Sequence, residues 1–283
     1  MNIRTVAIVG AGSMGCGIAQ VAAVSGFQVV LIDVTDGALA RGFATLTGSL
    51  ERLVSKDKMD ASLCGAAIAR VVTSTDYTRL SEADIIIEAA TENVDLKHRI
   101  LKQIEGVAQP DAIIASNTSS ISITALAAIL DTPERFIGMH FFNPVPLLQL
   151  VEVIRGLQTS DATFDAVRAL TERFDKLPVG VRNSPGFVVN RILVPMINEA
   201  FFVLYEGVAS AEEIDHSMKL GANHPIGPLA LADLIGLDVC LSVMDVFLKD
   251  FGDSKYRACA LLRELVSAGR LGRKTKRGVY RYD

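Results

Sequence analysis

One histidine and one glutamate are placed where they could share a proton-transfer task. His140 ends an apolar run, residues 136–140, that is typical of a buried strand, and Glu152 lies in the next such run, residues 150–154. Ligands of open α/β sheets bind beyond the carboxyl ends of strands, where His140 would lie. A carboxylate beside an imidazole fixes its tautomer and stabilises the imidazolium. The pair predicts a base that takes a hydroxyl proton while hydride leaves the carbon. From the residues alone, a buried structural histidine explains position 140 equally well.

A glycine-rich turn near the N-terminus has the pattern of a dinucleotide-binding site. Gly10 permits a tight turn, Gly12 lets the backbone approach a pyrophosphate, and Gly15 lets the helix pack closely on the strand. The pyrophosphate would lie at the positive end of that helix. Asp33 follows the next strand and would accept hydrogen bonds from the ribose, which favours NAD over NADP. The simpler alternative is a glycine turn without a ligand. The full motif reads Gly10-Ala11-Gly12-Ser13-Met14-Gly15.

Polar residues follow two further predicted strands. The run from Ser116 to Ser120 contains Asn117, Thr118 and Ser119. Capping of the next helix is the usual explanation of such a run, and contact with a substrate hydroxyl or a nicotinamide is the alternative. Glu92 and Lys97 follow residues 85–88, and an ordinary ion pair between them is their simplest interpretation.

The elements that must position these residues alternate between strands and helices. Short, nearly continuous apolar runs indicate strands buried on both faces, as in a parallel sheet covered by helices. With helical segments between them they predict an α/β fold, a Rossmann-type doubly wound sheet. The predicted strands are residues 6–9, 29–32, 85–87, 112–115, 136–141 and 150–154, and a further one ends at residue 182.

Two departures from simple alternation set the domain organisation. Residues 36–70 are too long for a connection and indicate an inserted α-hairpin. A turn-rich break at residues 183–186 separates a domain of residues 1–183 from an all-helical C-terminal domain, residues 184–283. In that second domain, helices are predicted over 187–205, with a kink at Pro195, and over 229–251 and 256–268. Another opens at a capping box of Ser210 and Glu213.

Composition excludes several classes of protein. The chain has 283 residues and a net charge of −4, with dispersed Lys and Arg, which gives no nucleic-acid footprint. Its four cysteines show no metal or disulfide spacing, so free thiols in a reducing compartment are expected. Residues 5–32 carry no charge, but glycines interrupt them, so no membrane span is expected. No export signal is recognised. We therefore expect a cytoplasmic protein.

Taken together, the motifs closely resemble the 3-hydroxyacyl-CoA dehydrogenase family, above all its stand-alone bacterial members that act on 3-hydroxybutyryl-CoA. The match extends over essentially the whole chain, in order and at family spacing. The two later motifs around His140 and Asn190 are the most specific. The motifs are the glycine turn of residues 10–15, Asn117-Thr118-Ser119-Ser120, His140-Phe141-Phe142-Asn143-Pro144-Val145-Pro146, Pro185-Gly186-Phe187-Val188-Val189-Asn190-Arg191 and Gly227-Pro228-Leu229.

The resemblance implies roles for individual residues. His140 would be the general base and Glu152 its partner, while Ser119 and Asn190 would hold the reacting oxygen. Ser49 and Lys56, on the inserted hairpin, match positions that hold CoA. The implied NAD(H) contacts are Gly10, Gly12, Ser13, Met14, Gly15, Asp33, Glu92, Lys97, Asn117, Ser119 and Lys274.

The implied reaction interconverts an (S)-3-hydroxyacyl-CoA and a 3-ketoacyl-CoA, with short chains such as 3-hydroxybutyryl-CoA and acetoacetyl-CoA preferred. The family also implies a homodimer formed through the helical domains, and a place in butyrate and fatty-acid metabolism. Two alternatives are a dehydrogenase of free 3-hydroxy acids, of the gulonate type, and a non-catalytic NAD-binding protein of the lens-crystallin kind. Since the chain has no hydratase segment, a fused multifunctional protein is not expected.

One departure from the family lies in the C-terminal tail. The family pattern there is Lys-Thr-Gly-x-Gly-Phe-Tyr, whereas this chain reads Lys274-Thr275-Lys276-Arg277-Gly278-Val279-Tyr280. Lys274 is retained, but a lysine stands in the place of the first glycine.

Overall fold

The computed structural model describes residues 3–283, which form two compact units that divide between Ser184 and Pro185. The first unit contains a single sheet with helices, and the second contains helices. The strands are β1 (Thr5–Val9), β2 (Gln28–Ile32), β3 (Val71–Ser74), β4 (Ile85–Glu88), β5 (Ile113–Ser116), β6 (Phe136–Phe141), β7 (Leu150–Arg155) and β8 (Leu177–Arg182). The helices of the first unit are α1 (Ser13–Val24), α2 (Asp36–Val54), α3 (Ala61–Ala69), α4 (Val94–Glu105), α5 (Ile123–Ala127) and α6 (Asp161–Arg173).

The sheet confirms the predicted Rossmann-type fold. Its strand order is β3-β2-β1-β4-β5-β6-β7-β8. The chain runs outward from β1 through β2 to β3 and then returns to β4 on the other side of β1, so the order reverses there. Ligands of such sheets bind in the crevice at this reversal, beyond the carboxyl ends of the strands. The glycine turn directly follows β1 and therefore lies at that point.

Two features of the sheet were not predicted. Strand β3 is a four-residue edge strand, and only its first residue, Val71, is fully buried, so its apolar signal is weak. Strands β6 and β7 pair antiparallel, whereas a parallel sheet was expected, and that expectation was wrong at this pair. The connection 142–149 is shorter than the dozen or so residues that a parallel crossover requires. Its length alone dictates the reversal of chain direction.

The inserted α-hairpin is present as predicted, formed by α2 and α3. Thr35 caps α2 by accepting a hydrogen bond from the amide of Ala38, and Asp60 caps α3 in the same way. Leu46 and Leu50 of α2 are fully buried. Gly42 lies so close to the chain at Ala11 that an added Cβ would be 2.7 Å from the Ala11 carbonyl oxygen. The hairpin thus packs directly against the glycine turn.

The second unit is all-helical, as predicted. Its helices are α7 (Val189–Tyr205), α8 (Ala211–Gly221), α9 (Pro228–Ile235), α10 (Leu237–Phe251) and α11 (Ala260–Ser267). The single helix predicted over 229–251 was wrong: Gly236, with φ of 107°, separates α9 from α10. Pro195 lies inside α7, and the predicted capping box of Ser210 and Glu213 is formed. No helix within residues 3–283 is long and apolar enough to cross a membrane.

Candidate active site

His140 and Glu152 are in direct contact. They are register partners of the antiparallel strands β6 and β7, so their side chains lie on the same face of the sheet. Nδ1 of His140 lies 2.7 Å from Oε2 of Glu152. His140 is 6% exposed and Glu152 1% exposed, and the ring of Phe142 packs on the imidazole with centroids 4.4 Å apart. Because an ionised carboxylate only accepts hydrogen bonds, Nδ1 carries the proton in this contact, and Nε2 is then the ring nitrogen that has a lone pair.

The glycine turn has the geometry that the sequence pattern requires. Gly10 has φ of 111°, a conformation that favours glycine, and its amide donates to the carbonyl of Ile32 at 2.7 Å. A Cβ on Gly15 would overlap the carbonyl oxygen of Gly10, so only glycine lets α1 approach the turn this closely. A Cβ on Gly12 would meet no heavy atom within 4 Å. The space in front of Gly12 is therefore open to a ligand.

Asp33 lies at the rim of the same space. Its two carboxylate oxygens accept hydrogen bonds from the amides of Ala11 and Val34, each at 2.7 Å. These bonds hold the carboxylate beside the turn, and its remaining lone pairs can accept hydrogen bonds from ribose hydroxyls. The open cleft has a volume of about 420 Å³ and is lined by Gly10, Ala11, Gly12, Ser13, Cys16, Asp33, Ala38, Arg41, Gly42, Thr45 and Ala90.

The start of α1 fits the diphosphate of a dinucleotide. Across the described residues, no side chain caps this helix at Gly12, and its first turn contains no acidic residue. The first-turn amides, with Ser13 and Met14, thus present the positive end of the helix to the cleft. The open space at Gly12 and the uncapped amides of α1 suit the diphosphate of NAD(H). The carboxylate of Asp33 supplies a hydrogen-bond acceptor for its ribose.

Glu92 and Ser119 are also brought together. The carboxylate of Glu92 accepts hydrogen bonds from the amide of Ser119 at 2.7 Å and from its hydroxyl at 3.0 Å. The hydroxyl of Thr118 donates to the other carboxylate oxygen at 2.7 Å. Glu92 comes from the segment between β4 and α4, and Ser119 from the segment between β5 and α5. These bonds join the ends of two neighbouring strands.

Asn117 ties the same region to the histidine strand. Its backbone amide donates to the carbonyl of Glu88 at 2.8 Å, and its side-chain oxygen accepts from the amide of Phe141 at 2.9 Å. Phe141 directly follows His140. Asn117 therefore connects the carboxyl ends of β4, β5 and β6, and its part in cofactor binding stays a prediction.

Lys97 does not pair with Glu92, as its simplest interpretation had suggested. Its ammonium group contacts the carboxylate of Glu88 and lies 3.3 Å from the hydroxyl of Ser116. All three side chains are buried. Glu88 also accepts hydrogen bonds from Ser116 at 2.8 Å and from the amide of Ala90 at 2.9 Å. Lys97 thus stabilises a buried carboxylate beneath the β4–α4 segment, and its predicted contact with the nicotinamide half of the cofactor stays a prediction.

The two hairpin residues predicted to hold CoA lie in α2 and directly after it. Ser49 is partly exposed within the helix, and Lys56 is exposed just after its end. In the part of the chain that the structure describes, neither residue forms a hydrogen bond or ion pair with another predicted site residue, so their role in holding CoA stays a prediction.

Asn190 and Lys274 belong to the helical unit. Asn190 lies in the first turn of α7 and is partly buried. Lys274 lies in a short 3₁₀ turn, where its ammonium is 2.6 Å from Oδ1 of Asp238. Lys276, in the place of the family glycine, has φ of 57°. The predicted roles of Asn190 and Lys274 remain predictions.

Two residues that support the site were not predicted from the sequence. Glu88 ends a run of three isoleucines, and a charge at the end of so buried a strand was a usable signal. Lys176 is buried, and its ammonium donates to the carbonyls of Val145 at 2.8 Å and Leu148 at 2.9 Å. Burial lowers the pKa of this lysine. Lys176 thereby anchors the loop between β6 and β7, and its local sequence gives no signal that predicts this contact.

Comparisons with known proteins agree along the whole chain. A family model for the NAD-binding domain of 3-hydroxyacyl-CoA dehydrogenase matches residues 5–184, and the model for the C-terminal domain of the same enzyme matches residues 186–282. A 3-hydroxybutyryl-CoA dehydrogenase of Bradyrhizobium diazoefficiens is 52% identical over 280 residues, which cover 99% of this chain and 96% of the relative. The 3-hydroxybutyryl-CoA dehydrogenase of Clostridioides difficile is 50% identical over 277 residues, which cover 98% of this chain and 99% of that protein.

A solved structure shows the same similarity. The (S)-3-hydroxybutyryl-CoA dehydrogenase from Ralstonia eutropha is 62% identical to this chain, and the two superimpose with a TM-score of 0.98 over the full length of both chains.

Proposed function

The chain belongs to the 3-hydroxyacyl-CoA dehydrogenase family, and we propose that it interconverts (S)-3-hydroxyacyl-CoA and 3-ketoacyl-CoA with NAD(H). The carrying observation is the 2.7 Å contact between His140 and Glu152 in the unit that contains the complete glycine turn. The similar proteins named above are 3-hydroxybutyryl-CoA dehydrogenases, which supports 3-hydroxybutyryl-CoA and acetoacetyl-CoA as the preferred pair.

NAD(H), when bound, accepts the hydride from the reacting carbon or returns it. Gly12, Ser13 and Met14 would hold its diphosphate at the start of α1, and Asp33 would hold its adenosine ribose. A carboxylate at this position also repels a 2′-phosphate, which favours NAD(H) over NADP(H). The residues predicted to contact its nicotinamide half are Glu92, Lys97 and Lys274, and Asn117 and Ser119 are further predicted contacts to the cofactor.

His140 moves the proton. In oxidation, Nε2 takes the proton of the substrate hydroxyl as the hydride leaves, and in reduction the imidazolium returns that proton to the new alkoxide oxygen. Glu152 holds Nδ1–H, so it keeps Nε2 in the basic tautomer and then stabilises the positive ring. Burial of the pair strengthens this stabilisation, since the local dielectric is low.

Ser119 and Asn190 are proposed to hold the reacting oxygen. Ser119 follows β5, the strand beside β6, so its hydroxyl is at the same edge of the sheet as His140. A hydroxyl and an amide that donate to the developing carbonyl stabilise it without taking part in hydride transfer. The S configuration fits the stereochemistry in the name of the Ralstonia relative.

The remaining proposals concern the binding of the CoA part of the substrate, the oligomeric state and the cellular location. Ser49 and Lys56 would bind CoA, with the ammonium group of Lys56 pairing with a phosphate. We propose that the first unit is the NAD-binding domain and that residues 184–283 form the substrate and dimerisation domain of a homodimer. The four cysteines are buried free thiols, which supports a reducing, cytoplasmic location.

Turnover assays test the proposed function. NADH oxidation should be fast with acetoacetyl-CoA and much slower with free acetoacetate, and 3-hydroxybutyryl-CoA should reduce NAD while free 3-hydroxybutyrate does not. Preference for the free acids would favour the gulonate-type alternative. Tight NADH binding without turnover of any 3-ketoacyl-CoA would favour the non-catalytic, crystallin-like alternative.

A further inference from the structure

The carboxylate of Glu92 is bound to one segment of the chain by three hydrogen bonds. One oxygen accepts both donors of Ser119, its amide at 2.7 Å and its hydroxyl at 3.0 Å, and the other accepts the hydroxyl of Thr118 at 2.7 Å. When a carboxylate accepts hydrogen bonds from both the amide and the hydroxyl of one serine, it defines the backbone position and the side-chain rotamer of that serine. Charge-assisted bonds of this kind are stronger than neutral ones.

We propose that Glu92 is the positioning residue for Ser119 and acts on the reaction through it. This inference rests on the proposed function, in which the Ser119 hydroxyl serves the reacting oxygen. The family resemblance implies a cofactor contact for Glu92, and the hydrogen bonds to the serine give the same carboxylate a second task. Its contribution to turnover through Ser119 therefore persists when NADH is saturating.

The chemistry of the hydroxyl explains why a positioning group is useful. A serine hydroxyl has a single proton, so it can donate to Glu92 or to the substrate oxygen at one time. Before substrate binds, the proton points to Glu92, and the bond holds Oγ in place. When the reacting oxygen arrives, rotation about the Cβ–Oγ bond turns the proton to it. The amide of Ser119 keeps its bond to Glu92 throughout, so the residue does not move.

Hydrogen bonds on either side of Glu92 hold its backbone segment in place. The segment between β4 and α4 is tied at its start by the side chain of Glu88, which accepts from the amide of Ala90. At its end, Asn93 caps α4 by accepting from the amide of Leu96 at 2.9 Å. Both ends of a short segment are therefore held, and Glu92 lies between them.

A double-mutant cycle tests the proposal. Glu92→Ala should lower kcat for acetoacetyl-CoA roughly ten- to hundredfold, the range expected for a hydrogen bond to a charged group. Measuring kcat at saturating NADH, with the NADH Kd determined separately, keeps any change in cofactor affinity out of this comparison. In the Ser119→Ala background, adding Glu92→Ala should have little further effect, because the group on which it acts is gone. Glu92→Gln keeps an acceptor for the serine and should restore most of kcat.

A matched control separates this role from the support of a loop in general. Glu105, at the end of α4, also accepts backbone amides from a distant segment, those of Asp131 at 2.7 Å and Thr132 at 3.2 Å. Glu105→Ala should leave kcat and the NADH Kd unchanged. Additive losses in the Ser119→Ala background, or a loss of NADH affinity that accounts for the whole effect, would overturn the proposal.

Failure of the proposed function is distinguishable from failure of this inference. If the unaltered protein turns over no 3-ketoacyl-CoA, the proposed function fails, and the crystal structure of Glu92→Ala then decides the inference. A changed rotamer or a displaced Oγ at Ser119 would support the positioning role. An unchanged Ser119 in that structure would overturn it.

Discussion

Nδ1 of His140 lies 2.7 Å from Oε2 of Glu152 because the two residues face each other across antiparallel strands. Directly opposed residues of such a pair have Cβ atoms about 4.5–5.5 Å apart, close enough for an imidazole and a carboxylate to meet. A one-residue change of register would turn one side chain to the other face of the sheet. The strand pairing thus specifies the contact between the imidazole and the carboxylate.

The first prediction concerns the general base. His140→Gln should lower kcat roughly 10²- to 10⁴-fold, because an amide cannot take up the hydroxyl proton. NADH affinity should stay nearly the same, since position 140 is absent from the lining of the glycine-turn cleft. Steady-state kinetics with acetoacetyl-CoA and a fluorescence titration with NADH measure the two effects. His216→Gln, on exposed α8, is the control, and an unchanged kcat in His140→Gln would remove His140 from its role.

A second prediction compares two glycines of the same turn. Gly12→Ala should fold normally, because its Cβ meets no atom within 4 Å. Its methyl group should weaken NADH binding about tenfold or more, since it obstructs the approach of the pyrophosphate. Gly15→Ala should instead lower the free energy of unfolding by about 1–3 kcal/mol through overlap with the Gly10 carbonyl. Thermal unfolding and NADH titration of both variants decide, and equal effects on both quantities would contradict the assignment.

The third prediction concerns the buried pair of Lys97 and Glu88. Lys97→Met leaves the Glu88 carboxylate buried without its cation and should lower the free energy of unfolding by about 3–5 kcal/mol. Glu88→Leu combined with Lys97→Met removes both charges and should recover much of that loss. Urea denaturation measures both. A loss below about 1 kcal/mol in Lys97→Met would show that the pair carries little stability.

A fourth prediction addresses the departure from the family in the tail. Lys276 has φ of 57°, a conformation that is costly for any residue with a Cβ. Lys276→Gly should therefore raise the free energy of unfolding by about 0.5–1 kcal/mol. The control is Lys249→Gly in α10, where glycine should cost about 1 kcal/mol. Chemical denaturation distinguishes the two signs, and a destabilised Lys276→Gly would contradict the strain.

The fifth prediction follows from two buried thiols. Burial, with a smaller effect of Asp33, raises the pKa of Cys16 from 9.0 to about 11, and burial raises that of Cys240 to about 12. Both thiols should resist a disulfide reagent at pH 8 in the native protein and react after urea is added. The unfolded thiols ionise near pH 9 whereas the folded ones remain protonated. The folded state then binds more protons, so stability should fall as pH rises above 9.

The stability of single Cys→Ala variants as a function of pH checks that sign. If Cys16→Ala and Cys240→Ala lose the same stability between pH 8 and pH 10.5 as the unaltered protein, these thiols do not cause the loss.

Much of the nucleotide site was predictable because its signals are local. Gly10, Gly12 and Gly15 each answer a backbone requirement within one turn, and Asp33 stands at a regular distance along the chain. The antiparallel pairing of β6 and β7 was missed because the apolar runs were interpreted without weighing the short loop between them. Gly236 was likewise passed over inside an apolar pattern that continues on both sides of it.

The contacts of single side chains were not predictable. Spacing along the chain suggested Lys97 for Glu92, whereas α4 brings Lys97 against Glu88 at the end of β4, where Ser116 of the adjacent strand also lies. The sequence did not distinguish Ser116 from Ser119 either. Ser116 donates to the buried carboxylate of Glu88, whereas Ser119 donates to Glu92. Lys176 supports the β6–β7 loop from a position far along the chain, and such support is visible only once the sheet is assembled.

The tight connection between β6 and β7 has a consequence for folding. Base and carboxylate lie within residues 136–155, so they meet through a contact of small sequence separation, whereas β1 must wait for distant β4. Local contacts form with little loss of chain entropy. We therefore expect His140 and Glu152 to come together early in folding, before the crevice at the glycine turn is complete.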